Sequence, residues 1–133
     1  MRVDGTEIGA IGRGILVFVG VERGDGEGQA ARLAERVLSY RIFPDAQGKM
    51  NLSLTDIRGE LLAVPQFTLA ADTKGGARPS FSTAAAPGEG EMLFLKFVEK
   101  AGESLHVATG RFGAHMQVSL VNDGPVTFWL QVS

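Results

Sequence analysis

The sequence predicts an α+β fold: a mostly antiparallel, barrel-like sheet with two helices packed on it. Three observations carry this. A glycine-bounded β-branched run, Gly14-Ile15-Leu16-Val17-Phe18-Val19-Gly20-Val21, reads as a buried strand. Two stretches place apolar residues at helical spacing. Three short apolar runs crowd the C-terminal third, separated by turn residues. The chain has 133 residues and no internal repeat, linker or low-complexity tail, which suits a single domain over 1–133.

After the first strand, Asp25 is a candidate cap for a helix running to about Tyr40, with Ala30, Leu33, Ala34, Val37 and Leu38 on one face. Asp45 to Asn51 is turn-rich. Glu60 to Thr68 reads as a strand, and Pro65 within it demands an edge or a break in the ladder. A polar Gly/Pro/Ser-rich loop extends to Pro87. Glu89 to Ala101 is a second amphipathic helix, offering Met92, Leu95, Phe97 and Val98 for burial. Leu105–Ala108, Met116–Val121 and Val126–Val132 read as the remaining strands.

Composition narrows the function. With no cysteine there is no disulfide framework, thiolate metal site or thiol nucleophile. A formal charge of -2 gives no global attraction to nucleic acid, so an RNA partner needs a local basic patch and binds in a salt-sensitive way. No apolar run approaches the roughly 20 residues that span a bilayer, and the N-terminus carries no signal-peptide hydrophobic region. A cytoplasmic protein is the expectation.

Two segments stand out chemically. Val64-Pro65-Gln66-Phe67-Thr68-Leu69-Ala70-Ala71-Asp72-Thr73 delivers Gln66 and Thr68 into a loop, Lys74-Gly75-Gly76-Ala77-Arg78-Pro79. Asn122-Asp123-Gly124-Pro125-Val126-Thr127 lies near the C-terminus. Each sets backbone-exposing residues beside a hydroxyl. On residues alone Thr68 is a strand threonine and Gly124-Pro125 a turn. A Ser-His-Asp arrangement fails on inventory, because His106 and His115 are the only histidines and neither is near Thr68 in sequence.

These segments resemble the D-aminoacyl-tRNA deacylase family, which carries Ser-Gln-Phe-Thr-Leu at the first position and Gly-Pro-Val-Thr at the second. The likeness covers nearly the whole chain, through Tyr40-Arg41-Ile42-Phe43, Gly48-Lys49-Met50-Asn51-Leu52, Arg78-Pro79-Ser80-Phe81-Ser82, Thr109-Gly110-Arg111-Phe112-Gly113-Ala114 and Met116-Gln117-Val118-Ser119-Leu120-Val121 in order. The resemblance implies a homodimeric carboxylic ester hydrolase. Its substrates are D-aminoacyl-tRNA and glycyl-tRNA charged on alanine tRNA, with no cofactor, metal or DNA. Thr68, Phe67 and Gln66 become the catalytic segment. A threonine hydroxyl without a base is a poor nucleophile, so Thr68 positions and hydrogen-bonds while the N–H groups of Phe67 and Thr68 serve as an oxyanion hole. Pro65, Phe112, Met116, Gly124 and Pro125 line the substrate. The Gly124–Pro125 bond is expected to be cis and to enter the partner's site, where its carbonyls exclude an L side chain. Lys49, Lys74, Arg78 and Arg111 are candidates for tRNA phosphates.

The chain departs from the family pattern in three places. Pro65 stands where serine is usual, as in a sister group that edits L-alanine, and removes a hydroxyl and an N–H. His115 replaces an aspartate. Met1-Arg2-Val3-Asp4-Gly5 matches the end of the family's first hairpin, so the usual first strand is missing. Three rival readings follow: a tRNA-binding dimer without turnover, an editor of L-alanine mischarged on tRNA, and a purely structural dimer.

Overall fold

A computed structural model describes residues 1–133. Its strands are β1 (Arg2–Val3), β2 (Thr6–Glu7), β3 (Gly14–Val19), β4 (Phe43–Pro44), β5 (Met50–Leu52), β6 (Glu60–Pro65), β7 (Val107–Thr109) and β8 (Met116–Gln117); its helices are α1 (Glu27–Ser39) and α2 (Pro87–Gly102). The α+β class and the two helices are as the sequence predicts. The strand direction is not. The central sheet, ordered β3-β6-β7, is wholly parallel. The cause is the connections: α1 lies between β3 and β6, and α2 between β6 and β7, and each helical crossover returns the chain to the end where it started. Antiparallel pairing is confined to β2-β1-β8 and β4-β5. The sheets are separate and do not close into a barrel.

β6 is the middle strand, and Leu61 to Pro65 are all buried. Its alternation builds two cores. Leu61 and Ala63 face Ala34, Val37, Leu38, Phe94, Phe97 and Ala101 of the helices. Leu62 and Val64 face Met1 and Val3, with Met116 packed alongside. The small antiparallel sheet therefore covers the face that the helices leave open.

Both helices start differently from the sequence expectation. Gly26, not Asp25, caps α1: Gln29 Oε1 accepts the Gly26 N–H (2.9 Å), while the Asp25 carboxylate closes the preceding turn by accepting the Glu22 N–H (2.9 Å). α2 begins at Pro87, whose missing N–H costs nothing in a first turn. It buries Leu93, Phe94, Phe97 and Ala101, whereas Met92 and Leu95, expected inside, are exposed. They lie off the 93/97/101 stripe that meets the sheet.

Three strand boundaries also move. β6 stops at Pro65, and Phe67–Ala70 form a 3-10 turn. The strand expected over Met116–Val121 is only Met116–Gln117, and Val126–Val132 form none. A strand exists only through a ladder, and no strand of the chain pairs with these residues. Instead the tail lies along α1: Arg32 donates to the Ser133 carbonyl (2.7 Å), Arg36 to Gln131 O (3.2 Å), and Tyr40 meets Phe128 edge-on at 5.8 Å. Val121, Phe128 and Trp129 stay exposed. The accessible surface is 8480 Å² for a 14.1 kDa chain. A folded monomer of that mass exposes about 6,700 Å².

Candidate active site

The parallel strands β3, β6 and β7 end together, and the chain turns sharply there. Pro65 closes β6. Residues Leu61 and Ala63 pair with β7, so Pro65's nitrogen faces the same side, just where β7 has ended at Thr109. The missing N–H therefore ends the β6–β7 ladder here, after the bond from Gly110 N–H to Ala63 O. Gln66 then donates its N–H to Val19 O (2.8 Å), and Leu69 N–H and Ala71 N–H bond to Gln66 O and Thr68 O (both 3.2 Å). The Phe67 and Thr68 N–H groups open this 3-10 turn, where a helix has no internal acceptor to offer. Thr68 is exposed, and its hydroxyl accepts from the Gln66 carboxamide at 2.5 Å. The hydroxyl hydrogen is left able to donate. The arrangement offers two backbone donors and one positioned hydroxyl to an incoming oxygen, with no acid or base of its own.

Gly20 fixes where this turn sits. A Cβ there would lie 2.9 Å from Leu69 Cβ and 3.2 Å from Gln66 O. Sequence reasoning used Gly20 only as a strand boundary; its packing role has no local signature. On the opposite side Met116, Gly110 and Pro65 form one contact group. A Cβ on Gly110 would meet Met116 Sδ at 2.7 Å and Pro65 Cδ at 3.2 Å. Gly110 N–H donates to Ala63 O (2.8 Å), holding the end of β7 against β6. Phe112 follows and reaches back to α2, its ring 3.5 Å from where a Cβ of Gly90 would stand. Pro65, Gln66, Phe67, Thr68, Met116 and Phe112 thus all belong to the end of the sheet where β6 and β7 finish.

The cations divide. Lys74 and Arg78 share one exposed loop, pinched at its base by paired bonds between Asp72 and Ser80 (2.7 and 2.9 Å). Arg111 is exposed just after β7. Lys49 lies on the β4–β5 turn; that hairpin's Phe43 packs under Arg13, which precedes β3, so its base is at the other end of the sheet. His115 is exposed beside β8.

Gly124–Pro125 is cis, with Gly124 at φ +141°. Asn122 holds the turn: its carbonyl accepts the Val126 N–H (3.0 Å) and its amide donates to the Thr127 hydroxyl (2.9 Å). Gly124 and Pro125 are exposed. None of this turn's hydrogen bonds reaches Gln66–Thr68 of the same chain.

A family model described as D-Tyr-tRNA(Tyr) deacylase matches residues 1–131. The D-aminoacyl-tRNA deacylase of Thioalkalivibrio sulfidiphilus is 65% identical over 134 residues, covering 99% of this chain and 89% of that protein. The Vibrio cholerae D-aminoacyl-tRNA deacylase is 57% identical over 131 residues, covering 98% and 91%. Among solved structures, a c-Myc DNA unwinding element binding protein superposes with TM-score 0.94 at 35% identity, covering 99% of this chain and 91% of the other. A probable eukaryotic D-amino acid tRNA deacylase has TM-score 0.61 at 19% identity, covering 79% and 77%, which speaks to the fold alone.

Proposed function

The chain belongs to the D-Tyr-tRNA(Tyr) deacylase family and hydrolyses the ester of D-aminoacyl-tRNA; we propose that it does so at the Gln66–Thr68 turn, in a homodimer whose Gly124-Pro125 turns reach across the interface. The observation that carries the site is the exposed turn itself, with its Thr68 hydroxyl held by Gln66 and its Phe67 and Thr68 N–H groups at the opening of a 3-10 turn.

Water attacks the ester carbonyl, and the carbonyl oxygen gathers negative charge as the tetrahedral centre forms. The two N–H groups receive that charge; donors of this kind are each worth roughly 10²–10³ in rate. The bond to the ribose oxygen breaks, and that oxygen takes the proton given up by water. The vicinal ribose hydroxyl stands beside both atoms and relays the proton, so the protein needs to supply orientation and little proton chemistry. The products are the free D-amino acid and tRNA.

Two observations support the dimer. The surface exceeds that of a monomer of this mass by about 1,800 Å², an excess large for a standard interface of about 800 Å² per partner. The unpaired tail exposes Phe128 and Trp129, and the Gly124-Pro125 turn is tied to nothing in its own site. Placed over a neighbour's Thr68, the turn's carbonyls form a wall where an L side chain would project. Glycine has no side chain to exclude, so glycyl-tRNA is cleaved too.

Subunit mixing tests this. Thr68→Val and Gly124→Val proteins, each inactive alone, regain about a quarter of the wild-type sites after random exchange, because one site of each two-fold mixed dimer is intact. No recovery in verified mixed dimers would place both elements in one chain.

A further inference from the structure

Phe67 and Phe81 are 56% and 43% exposed, yet their rings sit 5.1 Å apart, tilted by 53°. Leaving two phenyl faces in water forgoes burial that such rings ordinarily gain. Neither is loosely held. Phe67 opens the 3-10 turn, one residue before Thr68. Phe81 is pinned on both sides: Ser80 pairs with Asp72, Phe81 O accepts the Ala84 N–H (3.1 Å), and Arg23 binds Ser82 O through its side chain (3.1 Å) and Thr83 O through its backbone (2.9 Å). The Asp72–Ser80 pair that anchors Phe81 also closes the loop bearing Lys74 and Arg78.

We propose that the Phe67–Phe81 pair, with the Lys74–Arg78 loop beside it, is a stacking platform for the unpaired base that precedes the esterified nucleotide of the tRNA. The inference rests on the deacylase reading and adds a second point of hold. The acceptor end of a tRNA is single-stranded, and single strands are held by exposed aromatic faces set beside cations that track the phosphates. Rings fixed in advance lose little freedom when a base lands on them. The two cations supply a local positive charge that the overall charge of -2 does not. The ring of Phe67 is one residue from the reacting centre, and on the proposal the base it holds is that of the neighbouring nucleotide.

Two substrates separate this from a structural role: D-tyrosyl-tRNA and D-tyrosyl-adenosine, the same ester on a lone nucleoside. Phe81→Ala lowers kcat/KM on the tRNA by roughly 5- to 150-fold, the range for loss of one base–aromatic stack, mainly through KM. It leaves the nucleoside ester unchanged, and Phe81→Trp restores the tRNA rate. Equal loss on both substrates, loss on neither, or no rescue by tryptophan overturns the proposal. A wild-type protein that cleaves neither ester rejects the deacylase reading instead. In that event 2-aminopurine placed before the terminal nucleotide of uncharged tRNA decides the stacking: quenching by wild type that Phe81→Ala abolishes supports it, and unchanged fluorescence overturns it.

Discussion

Gly20→Ala isolates the claim that the 3-10 turn works through its position. Gly20 is not in a left-handed conformation, so alanine fits its backbone and the obstacle is purely steric. The new methyl would stand 2.9 Å from Leu69 Cβ, 3.2 Å from Gln66 O and 3.4 Å from Ala70 N. Carbon atoms rest at about 3.5–4.0 Å, so the turn must retreat by about 0.6–1.1 Å. Two of the three obstructing atoms are backbone, which cannot swing aside as a side-chain tip would. Overpacking of this kind costs about 1–3 kcal/mol of stability. A displacement near 1 Å of a positioned group costs on the order of 10²-fold in rate. The variant should therefore fold, melt a few degrees low, and lose roughly 30- to 100-fold in kcat/KM for D-tyrosyl-tRNA, about 2–2.7 kcal/mol of transition-state stabilisation. Gly28→Ala is the control: a Cβ on that α1 residue meets nothing within 4 Å, so it should gain about 0.5–1 kcal/mol and keep full activity. A folded Gly20→Ala protein with wild-type kcat/KM would refute the positional account of the site.

Thr68→Ser should retain most activity and Thr68→Val should lose it, since the hydroxyl is used for hydrogen bonding; trapping an aminoacyl ester on residue 68 by rapid quench and mass spectrometry would show a nucleophile instead. Arg78→Ala should weaken tRNA binding and lower the slope of log K against log salt by about one without altering the preference for D over L; an unchanged slope removes Arg78 from the phosphate contacts. Asp56 bears on acid stability. The Ser53 N–H and then the Ser53 hydroxyl hold its carboxyl below the usual carboxylate range; desolvation opposes them, and the Arg41 charge adds a lesser lowering. A folded-state value lowered in this way stabilises the fold above the unfolded value, near pH 4, and the contribution is lost as pH falls through the folded value. Urea midpoints should thus decline more steeply below about pH 4 in wild type than in Asp56→Asn; parallel declines would contradict the assignment.

The helices were legible because their apolar spacing is local, and so was β3, bounded by glycines. The direction of the central sheet was not. Leu61-Leu62-Ala63-Val64 is apolar on both faces, the pattern of a strand buried between layers, and that continuous run was the available sign of a parallel sheet. The C-terminal strands were overcalled because Val126–Val132 has strand composition but no ladder within the chain. The family motifs singled out Gln66, Phe67, Thr68 and Gly124-Pro125, and the first three share the turn that follows β6. What they did not reveal was Gly20 behind the turn or Phe81 beside Phe67, since both act through residues 49 and 14 positions away, and no short window of sequence records such contacts. Lys49 was grouped with the other cations by motif, and the fold sets its hairpin at the far end of the sheet.

Side-by-side deacylation of D-tyrosyl-tRNA and L-tyrosyl-tRNA by this chain tests the central claim most directly. The account predicts rapid release of D-tyrosine with the L ester left intact over the same period. Equal cleavage of both esters would contradict the exclusion of L side chains by Gly124-Pro125, and cleavage of neither would contradict the deacylase site at Thr68.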